Sequence, residues 1–219
     1  MLEFHHFYVF TMAGAPEVDH LVSKGFTEGA PNKHPGQGTE NRRIFFDNGM
    51  IEFIWAADGA EILNPKARRL RLYERSRYTE TGYSPFGICV TSDAPDKPPF
   101  NGYGYKPSYL PSDFGIWMAA NEDVPSEPGI FQLAGPPDKL GFEQQPTRHA
   151  NGADDLVHVS VRMLPSDFAA SDAMTKLLTM PLLSFETGMS PFARIEITTS
   201  GAPATINLGE WSPLQIALV

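Results

Sequence analysis

Glu3-Phe4-His5-His6-Phe7-Tyr8-Val9-Phe10-Thr11 is the stretch on which the fold turns. Aromatic and β-branched side chains dominate it, and a period of two puts Phe4, His6, Tyr8 and Phe10 on one face, which predicts a first strand. Pro16 then opens a helical spacing of Val18, Leu21 and Val22, and Gly25 stands where a helix ends. Residues 32–39 are rich in Gly and Pro and predict a loop, whereas 43–46 and 50–56, split by Asp47-Asn48-Gly49, predict a hairpin. With a short strand at 26–29 the order becomes βαβββ.

The same order returns near the other end. Residues 156–163 alternate, with Val157, Val159 and Val161 on one face and Leu156, His158, Ser160 and Arg162 on the other. Residues 166–178 carry Phe168, Met174, Leu177 and Leu178 on a helical stripe, and 193–199, 204–208 and 214–219 are β-type runs. The repeat is one of pattern, without residue identity.

Between them, residues 66–79 form a basic helical segment with Lys66, Arg68, Arg69, Arg71, Arg75 and Arg77. Such a run predicts a solvated face; an anionic substrate or a partner surface is the sharper alternative. Strands are expected at 86–91, 114–120 and 129–133, and residues 94–113, with Tyr103, Tyr105, Tyr109 and several prolines, predict a long binding loop or lid. The chain thus divides into a first βαβββ module (1–58), a Pro-rich middle (59–148) that is a degenerate module or an insertion, and a last βαβββ module (149–219). The fold class is α+β, with curved mixed sheets enclosing a cup.

Composition narrows the function. The 219 residues are 42% hydrophobic and 20% charged, which excludes a disordered or charge-dominated chain. A net charge of −9 repels a phosphate backbone and argues for a small-molecule partner over nucleic acid. Cys89 is the single cysteine, so no intrachain disulfide and no Cys-x-x-Cys zinc pattern can form, and a buried, inert thiol is the expected role. No run approaches the length of an apolar membrane span and the start lacks a signal-peptide pattern, so a cytoplasmic protein without a membrane partner is expected. A homodimer stays open.

His5-His6-Phe7-Tyr8-Val9, the loop His34-Pro35-Gly36-Gln37-Gly38-Thr39-Glu40-Asn41-Arg42, the strand Met50-Ile51-Glu52-Phe53-Ile54 and His149-Ala150-Asn151-Gly152-Ala153 resemble the glyoxalase-like branch of the vicinal oxygen chelate superfamily. That superfamily also holds bleomycin-resistance proteins and extradiol dioxygenases. The resemblance implies paired βαβββ modules and a divalent metal (Zn, Ni, Mn or Fe) held by His6 and Glu52 from the first module and His158 and Gln215 from the last. It further implies that Glu52 is the catalytic carboxylate of a lyase or isomerase acting on a small oxygen-rich or carbonyl substrate. Imidazole and carboxylate suit such cations, which act as Lewis acids on two neighbouring substrate oxygens. Gln215 stands where many active relatives carry Glu, and an amide cannot take a proton. Two alternatives follow from the same resemblance: a metal-free binding or sequestration protein, and an iron-dependent extradiol-type dioxygenase using two histidines and one carboxylate.

His34, Gln37, Asn41 and Arg42 are the candidate substrate-binding residues of the loop, Arg42 as a fork for a carboxylate or phosphate. Tyr8 and Trp117 join them as candidate cup-wall contacts. The plainer alternatives are an internally bonded His6, a solvent-facing His158, Glu52 paired with Arg42 or Arg43, and a loop whose polar groups satisfy their own backbone.

Overall fold

The computed structural model describes residues 1–94, 97–136, 139, 142 and 144–219. The aromatic segment forms β1 (Leu2–Phe10), and Pro16 does open α1 (Pro16–Ser23). The expected strand at 26–29 is reduced to a single bridge between Glu28 and Ile44; the second strand is instead β2 (Asn32–His34), inside the predicted loop. The hairpin forms as β3 (Thr39–Phe46) and β4 (Gly49–Ala56).

The basic segment is not one helix. It follows α2 (Gly59–Ile62) and is cut into α3 (Pro65–Arg68), α4 (Leu72–Ser76) and α5 (Tyr78–Thr81), with Arg71 at φ 57 between α3 and α4. Its arginines are spoken for: Arg68 and Arg71 lie against Glu74, Arg69 pairs with Glu122, Arg71 with Asp123, Arg77 with Glu80, and fully buried Arg75 donates to the carbonyls of Ser84 and Glu127 at 2.9 Å. The middle then supplies β5 (Phe86–Ser92), β6 (Gly102–Tyr105), β7 (Gly115–Ala119) and β8 (Gly129–Ala134). Strand β6 lies within the predicted 94–113 loop, of which Pro95 and Asp96 fall outside the described residues.

The last part folds as β9 (Ala153–Met163), α6 (Asp172–Leu177), β10 (Leu183–Thr187), β11 (Phe192–Thr199), β12 (Ala204–Asn207) and β13 (Leu214–Leu218). The helix is shorter than the predicted stripe, and Phe168 and Leu178 are exposed.

Among the described residues thirteen strands make two sheets: a curled eight-stranded one, β2-β3-β4-β1-β5-β8-β7-β6, and a five-stranded one, β10-β9-β11-β13-β12. In the larger sheet β4 runs parallel to β1, β1 antiparallel to β5, and β5 parallel to β8. The strand order of the first unit thus recurs in the middle segment, which forms the other half of the same curled sheet. The smaller sheet repeats the parallel, antiparallel, parallel pattern across β10-β9-β11-β13.

Alternation decides which face is core. Phe7 and Val9 of β1, Ile51 and Phe53 of β4, and Ile88 and Val90 of β5 share one buried cluster with Val18 and Leu21 of α1, Met174 and Leu177 of α6, and Val159, Val161 and Ile195 of the second sheet. The intervening residues His6, Tyr8, Glu52 and Ile54 face the hollow of the curled sheet. Both sheets therefore bury one face in a common core; the other face lines the hollow in the larger sheet and is turned outward in the smaller one.

Candidate functional site

The hollow is a cavity of about 280 Å³ lined by residues of both halves of the curled sheet. Its first half is polar, with His5, His6, Asn32, His34, Gln37, Asn41, Arg43 and Glu52; the facing half is mainly apolar, with Ile116, Met118, Phe131 and Leu133, joined by Tyr105 and Tyr109.

Two adjacent histidines reach the same cavity because β1 is bulged. Phe4 pairs with Val90 and His6 with Cys89, so His5 is one residue too many for its partner strand. A bulge of this kind re-aims a side chain that simple alternation would send to the other face. His5 Nδ1 and His6 Nδ1 stand 2.6 Å apart, a hydrogen bond between rings, and His6 Nε2 lies 3.5 Å from Glu52 Oε2. Burial first, then the charges of His5, Arg43 and His34, hold the His6 pKa well below its ordinary value, so the ring is neutral at pH 7.

Glu52 is buried, and Asn41 Nδ2 donates to its Oε1. Asn41 is fixed in turn, its Oδ1 accepting from the Asn32 N–H at 2.8 Å. Burial raises the Glu52 pKa, partly offset by the Asn41 hydrogen bond and the Arg43 charge. Arg43 lies directly opposite Glu52 in the β3–β4 register, yet the two form no ion pair within 4.0 Å.

The loop residues are cup residues too. His34 Nδ1 and Gln37 Nε2 both meet Thr39 Oγ1 at 2.9 Å, the Tyr109 hydroxyl donates to Gln37 Oε1 at 2.8 Å, and the Tyr109 ring packs on His34 with centroids 4.7 Å apart. Burial and the Arg43 charge push the His34 pKa down to about 4. Gly38 lets the loop turn here: its φ is +77°, and an added Cβ would sit 2.4 Å from the Ile62 nitrogen. Tyr8 lies buried in the cup wall over Gly87, where an added Cβ would stand 1.9 Å from its ring.

Other expected site residues lie elsewhere. Arg42 points away from the cup and is clamped by Glu28 at 2.6 Å and Asp19 at 2.9 Å; Trp117 donates to the Phe100 carbonyl at 2.9 Å outside the cavity lining. His158 and Gln215 sit on the outward face of the second sheet, His158 Nε2 at 2.7 Å from Ser184 Oγ and Gln215 bonded to Arg194 and Asn207. The common core separates them from His6 and Glu52, so the expected quartet, and the triad containing His158, do not assemble. His149 is a structural bridge: its Nδ1 accepts from Thr27 N–H and its Nε2 reaches the Phe45 carbonyl, both at 3.0 Å.

Sequence reasoning missed His5 as a second cup histidine, Arg43, and the apolar half supplied by β7 and β8. Alternation along β3 carried a signal for one of them: Ile44 and Phe46 belong to the core face, which puts Arg42 with them and Arg43 with Asn41 and Phe45.

The four-donor metal set that the resemblance implies is not formed, because His158 and Gln215 lie outside the cup. Beside His6 and Glu52, the facing strands contribute Cys89 from β5 and the apolar Phe131 and Leu133 from β8. The donor atoms of His5, His6 and Cys89 do lie within 4.8 Å of one another, but Glu52 is not among them; burial pushes the Cys89 thiol well above its ordinary pKa.

A solved structure shares this architecture. It is described as the crystal structure of a hypothetical protein from Staphylococcus aureus, with a TM-score of 0.62 at 10% identity, covering 100% of this chain and 99% of that one. The likeness is one of fold. No protein-family description and no curated protein matches the chain. Among the described residues no helix is long and apolar enough to cross a membrane.

Proposed function

We propose that the chain is a glyoxalase-like enzyme of the vicinal oxygen chelate superfamily, of lyase or isomerase type, that moves a proton on a small carbonyl-bearing or oxygen-rich molecule held in the cup. Glu52 is the base. The observation that carries this reading is a buried carboxylate in a cavity wall whose contacts are an amide and an imidazole, with Arg43 opposite making no ion pair to it. A guanidinium clamp would hold a carboxylate ionised and occupied; desolvation without one raises its affinity for a proton toward the range useful for acid–base chemistry. The placement of the loop residues His34, Gln37 and Asn41 around the same hollow adds support.

The chemistry follows from the atoms. Glu52 Oε1 is held by Asn41, which leaves Oε2 to take a proton from a carbon next to a carbonyl. The C–H electron pair passes to the carbonyl oxygen as an enolate; where the carbon that lost the proton carries a hydroxyl, the hydroxyl proton passes to the enolate oxygen, that carbon becomes the new carbonyl, and Oε2 returns its proton to the former carbonyl carbon. Neutral His6, 3.5 Å away, orients the carboxylate through Nε2 while its Nδ1 is tied to His5.

The test is proton wash-out in deuterium oxide, followed by NMR, with acetoacetate, phenylpyruvate and the methylglyoxal–glutathione hemithioacetal. The wild-type chain is expected to accelerate exchange on at least one of them, and Glu52→Gln to slow it about 100-fold or more. A wild-type chain that exchanges none would overturn the reading. The apolar half of the cup favours a second reading, a binding or sequestration protein for an apolar or aromatic molecule. That protein would bind without exchange, and Glu52→Gln would leave its affinity intact.

A further inference from the structure

Arginines in this chain are paired or held almost everywhere they are not fully open to solvent. Arg42 is clamped by two carboxylates, Arg71 by Asp123 and Glu74, Arg194 by Glu196, and buried Arg75 by two carbonyls. Arg43 is different. Its Nε donates to the Ala30 carbonyl at 2.8 Å, and its guanidinium lies 5.0 Å over the Phe45 ring, but among the described residues no carboxylate lies within ion-pair distance. It lines the cavity, half-buried, with desolvation lowering its pKa and Glu52 partly compensating. An arginine held in such a wall without an anionic partner is costly, and its planar fork is matched to a carboxylate.

The rest of the lining sets the remainder of the ligand. The other basic side chain at the cavity, Lys139, is bonded to Asp113 at 2.8 Å. His6 and His34 are held neutral, so they present hydrogen-bonding groups and no charge. Across the hollow stand Ile116, Met118, Phe131 and Leu133. A cavity of about 280 Å³ is at the small end for ligand pockets.

We propose that the cup takes a small monocarboxylate with an apolar or aromatic body, its carboxylate on the Arg43 guanidinium and its body against the wall formed by Ile116, Met118, Phe131 and Leu133. The proposal rests on the cup being the working site, and it assigns the substrate class of the proton-transfer reading. Arg43, next to Arg42 in sequence and on the opposite face of β3, holds the role that the loop pattern would give to Arg42.

Calorimetric titration at neutral pH with phenylacetate and with its neutral isostere phenylacetamide tests it. The wild-type chain is expected to prefer the carboxylate by about tenfold or more, the worth of a charge-assisted pair in a partly desolvated site. Arg43→Gln should remove the preference and Arg43→Lys restore part of it. Arg42→Gln, which cuts the pairs with Glu28 and Asp19 and the bonds to the Gly14 and Ala15 carbonyls away from the cup, should leave it unchanged. Equal binding of the two probes by the wild type, a preference that survives in Arg43→Gln, or no binding of either probe would each overturn the proposal. Proton exchange by the wild-type chain separates the two readings: a carboxylate preference without exchange sinks the base and spares the carboxylate site, and exchange without preference does the reverse.

Discussion

His5 and His6 lie in one cavity because a single inserted residue in β1 cancels the alternation that would part them. At the same scale, one position separates Arg42, spent on two surface carboxylates, from Arg43, unpaired at the cup. Burial also sets the charge of His34, whose pKa of about 4 lies below the ordinary 6.5. Between those two values the unfolded chain takes up a proton that the folded chain refuses, so stability must fall as pH drops through that window and level off below about 4. Neutral His6 contributes with the same sign. Glu52 has the opposite sign, since its raised pKa means that the folded state holds a proton above 4.5 that the unfolded state releases. Urea unfolding of His34→Gln against wild type at several pH values checks the histidine contribution. The variant should lose less stability on acidification, and parallel curves would show that His34 does not titrate as its burial dictates.

Among the elements, the strands of the curled sheet are nearly all where periodicity put them, because half-buried strands carry a period of two. The misreadings share a cause. Strands β2 and β6 are short pieces in Gly-, Pro- and Tyr-rich sequence, and they form by pairing with a neighbour rather than by propensity. Val157 was expected to share a face with Val159, but the β9–β11 register shifts between Leu156 and His158, so that Leu156 is buried and Val157 is 41% exposed. Where strands press closely, small residues become obligatory. Tyr8 of β1 lies across Gly87 of β5, with no room for a Cβ. Gly87→Ala should therefore displace Tyr8, lower stability by about 1–3 kcal/mol and weaken ligand binding in the cup. Denaturant titration with the m-value held constant measures the first effect, and a wild-type midpoint would show that the cup wall tolerates the methyl group.

For the whole molecule, the decisive event is how the two sheets meet. Asn48, in the β3–β4 turn, donates to the Leu156 carbonyl at 2.8 Å and accepts from the Leu156 N–H at 2.9 Å, taking up the backbone pair beside the register shift in β9. Removing that side chain leaves two partly buried backbone groups unbonded, so Asn48→Ala should cost about 1–3 kcal/mol in chemical denaturation without altering the cup. Unchanged stability would mean that the core alone docks the sheets. Glu127 makes a similar tie, accepting from the N–H and hydroxyl of Ser171, the residue that caps α6. These contacts join residues more than forty positions apart, and no local pattern announces them.

Residues 1–219 by themselves determined the α+β class and most strands, because those features rest on alternation, spacing and turn chemistry, which act over a few residues, whereas the joining of His6 with Glu52 in one site came from the family resemblance. Only the tertiary structure decided that the middle segment, not the last, completes the cup, that His158 and Gln215 face away from it, and that Arg43 rather than Arg42 looks in. Alternation says that a strand has two faces. Which sheet edge it joins and which face meets the common core depend on burial and pairing summed over distant segments, and no stretch of sequence carries that sum.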